Sequence, residues 1–133
     1  CGGRVVADDL CIGSRAWVDW DWAETATASP GAALQGSGDP LAFLARRYLG
    51  RTPCPRMGRQ EERAAHLSRL ARELRVDGVV CYALKFCDTF LYDARSIRRA
   101  LGDSIPVLVL AGEYSASSAG QLRTRVEAFL EML

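Results

Sequence analysis

The sequence predicts an α/β fold, a three-layer parallel sheet of flavodoxin-like or Rossmann-like half type with helices on both faces. Three observations predict it. The run from Val79 to Leu84 is continuously apolar, rich in β-branched and aromatic residues, and opened by Asp77-Gly78, which suits a central strand better than a helical turn. Ile105-Pro-Val-Leu-Val-Leu110 is a second run of the same kind, as expected of a parallel sheet covered on both faces. Stretches at helical spacing alternate with these runs, and alternation of strand and helix is the signature of a parallel layer. At 133 residues the chain is expected to form a single α/β domain, residues 1–133.

The elements follow in order. Arg4-Val-Val-Ala7, after Gly2-Gly3, reads as a first strand, with Asp8, Asp9, Leu10 and Cys11 at its end and a break at Gly13-Ser14-Arg15. Trp17, Trp20 and Trp22 are interleaved with Asp19 and Asp21, and packing or a pocket lining would each use them. The stretch 23–39, rich in Ala, Ser, Thr and Gly around Pro30-Gly31, reads as a mobile loop or lid. Asp39-Pro40 marks a helix start, with Asp39 as N-cap and Pro40 at the first helical position. Leu41, Leu44, Ala45 and Tyr48 give that helix an apolar stripe, and Gly50 closes it. Thr52-Pro-Cys-Pro-Arg56 reads as a loop that two prolines hold rigid on either side of Cys54. Residues 59–75 form the clearest helix, with Ala64, Leu67, Leu70, Ala71 and Leu74 at helical spacing. A further helix is expected over Leu91–Leu101, ended by Gly102. The last one follows Ser115–Gly120 and carries Leu122, Val126, Phe129, Leu130 and Leu133 on its apolar face.

Composition narrows the function. A net charge of +1 argues against a nucleic-acid surface, which is usually far more basic. No apolar run approaches the roughly 18 residues of a membrane span, and no signal peptide is visible. Five cysteines without secretory features favour a reducing compartment, the cytoplasm, with thiols free or metal-bound. The absence of any C-x-x-C pair speaks against a zinc ribbon or a thioredoxin-type site. Neither a P-loop nor G-x-G-x-x-G occurs, so the usual nucleotide sites are unsupported. The chain begins with Cys1, which reads as a fragment or processed piece of something longer.

In a parallel sheet, ligands bind just beyond the carboxyl ends of the strands. That edge would gather Asp9 and Cys11, Lys85 and Cys87, and Glu113 and Tyr114. Cys87 is the leading candidate for a metal or cluster ligand. Its plain alternative is a buried free cysteine, a common core residue. Cys54 has a structural alternative in its turn, and Asp8, Asp9 and Cys11 have one as a strand-ending turn. His66, the one histidine, reads as a helix-surface or rim residue. Ser117, Ser118, Gly120 and Gln121 open the last helix with backbone N–H groups suited to an anion. Arg123 and Arg125 add charge there, or else form a solvated face paired to Glu127.

These residues resemble a known family. Gly2-Gly-Arg-Val-Val-Ala-Asp-Asp-Leu-Cys-Ile-Gly-Ser-Arg15, Asp77-Gly-Val-Val with Lys85-Phe-Cys-Asp88, and Glu113-Tyr-Ser115 with Gly120-Gln-Leu-Arg-Thr-Arg-Val-Glu-Ala-Phe-Leu-Glu131 look like the second half of the D component of 2-hydroxyacyl-CoA dehydratases. That family also holds the benzoyl-CoA reductase subunits and the double-cubane-cluster proteins. The resemblance implies the C-terminal domain of an iron–sulfur subunit. It implies a [4Fe–4S] cluster, or a double-cubane cluster, shared with an upstream domain. It implies a second related subunit, an ATP-driven activator protein that delivers a low-potential electron, and an acyl-CoA substrate that reacts through a radical and loses water. Cys87 matches the family's late cluster ligand, with Cys11 and Cys54 as reserve candidates and Cys81 as a core residue. Lys85 near a cluster would offset its negative charge. Two alternatives accompany this reading: a double-cubane-type redox protein reducing small molecules, and a cluster-free α/β interaction domain.

Overall fold

The computed structural model describes residues 1–17, 39–49 and 54–133. The chain divides into two units, residues 7–52 and residues 1–6 with 53–133. The expected lid over 23–39, Trp20, Trp22 and Gly50 lie outside the described residues, apart from Asp39.

In the smaller unit, Ser14–Trp17 forms a single helical turn, α1. Pro40–Leu49 forms α2. Asp39 caps α2 as expected, its Oδ1 accepting from the Leu41 amide at 2.9 Å, one of the four amides a helix start leaves without a backbone partner. Leu41 and Leu44, expected on an apolar stripe, are exposed.

The larger unit holds the sheet. A 3-10 turn, Pro55–Met57, leads into α3, Gln60–Glu73. Then come β1, Val79–Leu84, α4, Asp88–Leu101, β2, Val107–Gly112, and α5, Ala119–Glu131. The strands pair in parallel, Val79 opposite Val107 through Leu84 opposite Gly112. Among the described residues the sheet has these two strands, so α/β character stands while a three-layer sheet is not formed by them. Arg4–Ala7, expected as a strand, has no regular structure, and Val5 is exposed. Val5 and Val6 favour an extended backbone, but a strand needs a neighbour to pair with.

Both strands turn one face to a common core. Val79, Cys81, Val107 and Val109 meet Leu67 and Ala71 of α3 and Ile97 and Leu101 of α4, with Ile105 and Val76 at the margins. Burial of this apolar surface is the main favourable term, at roughly 25 cal/mol per Å². Alternation puts even-numbered residues on the other face. There Leu110 is 3% exposed, while Val80 of β1 is 49% exposed. The sequence reading of a strand covered on both faces therefore holds for only part of this sheet. Helix α5 packs on β2 and sets Phe129 against Gly78, where an added Cβ would lie 2.7 Å from the ring.

Two charged devices fix the helices. Arg63 of α3 donates through Nε to Asp93 Oδ2 of α4 at 2.9 Å, with Arg63 3% and Asp93 2% exposed. The Val79 amide of β1 and the Lys85 amide just past it donate to the Pro106 and Gly112 carbonyls, so even carbonyls of β2 face β1 and odd ones face away. Two of the outward carbonyls accept from arginines: Val109 from Arg125 of α5 at 2.8 Å and Val107 from Arg98 of α4 at 3.5 Å. The expected solvated pairing to Glu127 holds for Arg123, at 2.8 Å, and not for Arg125. No helix among the described residues is long and apolar enough to cross a membrane.

Candidate functional site

The carboxyl ends of β1 and β2 come together as the sequence predicts. Lys85, just past β1, donates to Glu113 Oε1, just past β2, at 2.6 Å, and the Lys85 amide donates to the Gly112 carbonyl at 2.8 Å. The Tyr82 hydroxyl donates to the Glu113 carbonyl at 3.3 Å. The ammonium of Lys85 is thus paired with Glu113 across the two strand ends.

Cys87 sits where β1 turns into α4. Its amide donates to the Leu84 carbonyl at 3.0 Å and its carbonyl accepts from the Leu91 amide at 3.2 Å. The residue is the N-cap of α4, although its side chain makes no capping hydrogen bond. The helix begins at Asp88, three residues ahead of the Leu91 start that apolar spacing suggests. The expected thiol-bearing loop is therefore a tight turn feeding a helix start. A helix amino end carries partial positive charge, which favours negative charge beside it. Phe86 completes the turn at φ +65°, a left-handed conformation uncommon for a non-glycine residue.

Cys54 opens the 3-10 turn as its N-cap, and its carbonyl accepts from the Met57 amide at 2.9 Å. Pro55 is buried, and the turn packs against both α3 and α4. Gly58 ends it at φ +72°, where a side chain would be strained. The next residue after Pro55 is Arg56, whose Nη2 lies 3.9 Å from Cys87 Sγ. Cys54 and Cys87 are both half-buried. Arg56 is the residue that the sequence reading missed. Its signal was the rigid Pro-Cys-Pro-Arg run, taken to present Cys54 but equally suited to holding the arginine.

Cys11 belongs to the smaller unit and is exposed. It lies in a turn built by its acidic neighbours. Asp8 Oδ1 accepts from the Ser14 amide at 2.8 Å and from the Leu10 amide at 3.0 Å, and the Ser14 hydroxyl donates to the Asp8 carbonyl. The backbone N–H of Ser14, with that of Leu10, holds the Asp8 carboxyl below its ordinary value of 3.8. Arg15 donates through Nε to Asp9 Oδ1 at 3.0 Å, and its Nη1 lies 3.6 Å from Cys11 Sγ. The segment is a turn, as the plain alternative has it, but no strand precedes it.

The other candidates resolve individually. Cys81 packs against the core cluster. His66 meets Arg69 one turn along, Nδ1 to Nη2 at 3.4 Å. The Ser117 amide is taken by Ser115 Oγ at 3.2 Å. An open groove of about 650 Å³ lies at the amino end of β1, lined in part by Cys1, Asp77, Glu127 and Leu130, away from the Cys87 turn.

Thiolates are the usual holders of iron–sulfur clusters, and a half-buried thiol facing a guanidinium at a helix start suits one ligand of such a group. Among the described residues no three His, Cys, Asp or Glu side chains gather where they could hold a metal ion. Cys87 therefore fits as one member of a ligand set rather than as a complete site.

The sequence of the chain places it in a class of dehydratase subunits. The family described as 2-hydroxyglutaryl-CoA dehydratase, D-component, matches residues 1–133, and the chain belongs to that family. It is 35% identical over 134 residues to "Putative dehydratase subunit YjiM" of Escherichia coli (strain K12), covering 99% of this chain and 31% of that protein. It is 25% identical over 130 residues to the (R)-phenyllactyl-CoA dehydratase beta subunit of Clostridium sporogenes, covering 97% of this chain and 31% of that subunit. The chain thus spans about a third of the length of these curated relatives. No solved structure is significantly similar to it.

Proposed function

We propose that this chain is the C-terminal domain of an iron–sulfur subunit in a 2-hydroxyacyl-CoA dehydratase or benzoyl-CoA reductase-type enzyme of the cytoplasm. Cys87 is one ligand of a [4Fe–4S] cluster, and the remaining ligands come from an upstream domain, with Cys11 and Cys54 in reserve. The partners are a second related subunit, as the name of the Clostridium sporogenes beta subunit suggests, an ATP-dependent activator protein and an acyl-CoA. When bound, the cluster supplies the single electron that radical dehydration requires.

The observation that carries the reading is the placement of Cys87 at the carboxyl end of β1 and the start of α4, within a chain that the dehydratase D-component family covers from end to end. The protein's own residues do three things there. The turn from Leu84 to Cys87 fixes the direction of the thiol. The amino end of α4 favours the negative charge of a thiolate-held group. The ion pair of Lys85 and Glu113 ties the two strand ends into one platform.

The test is anaerobic reconstitution of the full-length subunit with Cys87→Ala. Loss of the brown chromophore, with iron and sulfide content falling together, is the expected result. Unchanged iron and sulfide would reject the ligand assignment, and a wild-type subunit that takes up neither would favour the cluster-free alternative. Binding of a CoA thioester by the reconstituted protein then separates the dehydratase reading from a double-cubane redox protein.

A further inference from the structure

We infer that Arg56 is a positioning residue for the Cys87 sulfur, one that raises the reduction potential of the group this sulfur holds. The inference rests on the cluster-ligand reading of Cys87.

Three features converge on it. The Arg56 guanidinium lies 3.9 Å from Cys87 Sγ, and among the described residues no carboxylate pairs with it. Lys85, the other cation beside this turn, is instead neutralised by Glu113 at 2.6 Å. The backbone that carries Arg56 is also fixed: buried Pro55 precedes it, the Met57 amide closes the turn on the Cys54 carbonyl, and Gly58 ends it. A side chain on so short and rigid a turn loses less freedom in reaching its target than one on a loose loop.

The direction of the effect follows from charge. Reduction adds one electron to the cluster, so a fixed cation that donates to a ligating sulfur favours the reduced form. Hydrogen bonds to the sulfurs, net charge and solvent exposure are the levers that set such potentials. Arginine keeps its charge at any working pH. Arg56 is exposed, so water screens part of the effect, and a change of about tenfold in the ratio of reduced to oxidised cluster at a given potential is expected, equal to ~59 mV for one electron.

The experiment is a redox titration of the reconstituted full-length subunit carrying Arg56→Gln, with titanium(III) citrate as reductant and iron and sulfide measured in parallel. The expected result is unchanged iron content and a potential lower by the stated amount, with Arg56→Lys recovering most of the shift. An unmoved potential in Arg56→Gln overturns the inference. So does loss of iron from that variant, because Arg56 would then hold the site together rather than tune it. If Cys87→Ala keeps its iron, the ligand reading itself has failed. If Cys87→Ala loses iron and Arg56→Gln leaves the potential in place, only the role of Arg56 has failed.

Discussion

Phe86 is held at φ +65° with its side chain 96% exposed, so the cost of changing it comes from the backbone and not from lost packing. A β-branched residue tolerates this conformation worse than phenylalanine does. Phe86→Val is expected to destabilise the protein by about 1 kcal/mol in urea unfolding, and Phe86→Asn to be neutral, since asparagine visits the left-handed region readily. Equal stability of the two variants would show that the turn is not strained. Asp8 supplies the pH-dependent counterpart. Its folded value lies below 3.8, through the Ser14 and Leu10 amides. The stabilisation it lends the turn is therefore complete above that ordinary value and is lost as pH falls through the lower folded one. A carboxyl carbon titration by NMR should place the Asp8 midpoint below 3.8, and a midpoint at or above it would contradict the hydrogen-bonded turn. At this scale the sequence was partly legible. Cysteine positions and strand ends located Cys87, but nothing in residue order marks a positive φ at Phe86 or the reach of Arg56 across 31 residues of chain.

Helices α3 and α4 run side by side in the same direction, since Arg63 meets Asp93 and Ser68 donates to the Ala100 carbonyl. Their ion pair is almost wholly removed from water, so its members depend on each other. Asp93→Asn removes a buried charged partner of Arg63 and should cost about 3–5 kcal/mol, whereas Arg63→Met with Asp93→Leu should recover much of that loss. Chemical denaturation of the two variants beside the wild type checks this. A double variant no more stable than Asp93→Asn would contradict it. Because Cys87 is the N-cap of α4, loosening α3 against α4 should also slacken the cysteine turn. Periodicity made α3 plain, and Asp39-Pro40 gave the start of α2. The start of α4 was hidden because Asp88 and Thr89 break the apolar spacing while favouring a first helical turn. The outward carbonyls of Val107 and Val109 on β2 take Arg98 and Arg125 as partners, which spacing alone could not distinguish from solvated charge.

At the scale of the molecule, the α/β character was legible from two apolar runs set among helical stretches, and the family resemblance rested on motifs distributed along nearly the whole chain. The lack of regular structure at Arg4–Ala7, the segment expected as the first strand, was not, because this segment has the residue types of a strand while pairing is a property of what lies beside it. The arginines on the outward carbonyls of β2 give the sheet a direction of growth. Arg98 and Arg125 already occupy that margin, whereas β1 pairs only with β2 among the described residues. Any additional strand would find its vacant hydrogen-bonding row along Val80 and Tyr82, and the thiol-bearing strand would become an interior one.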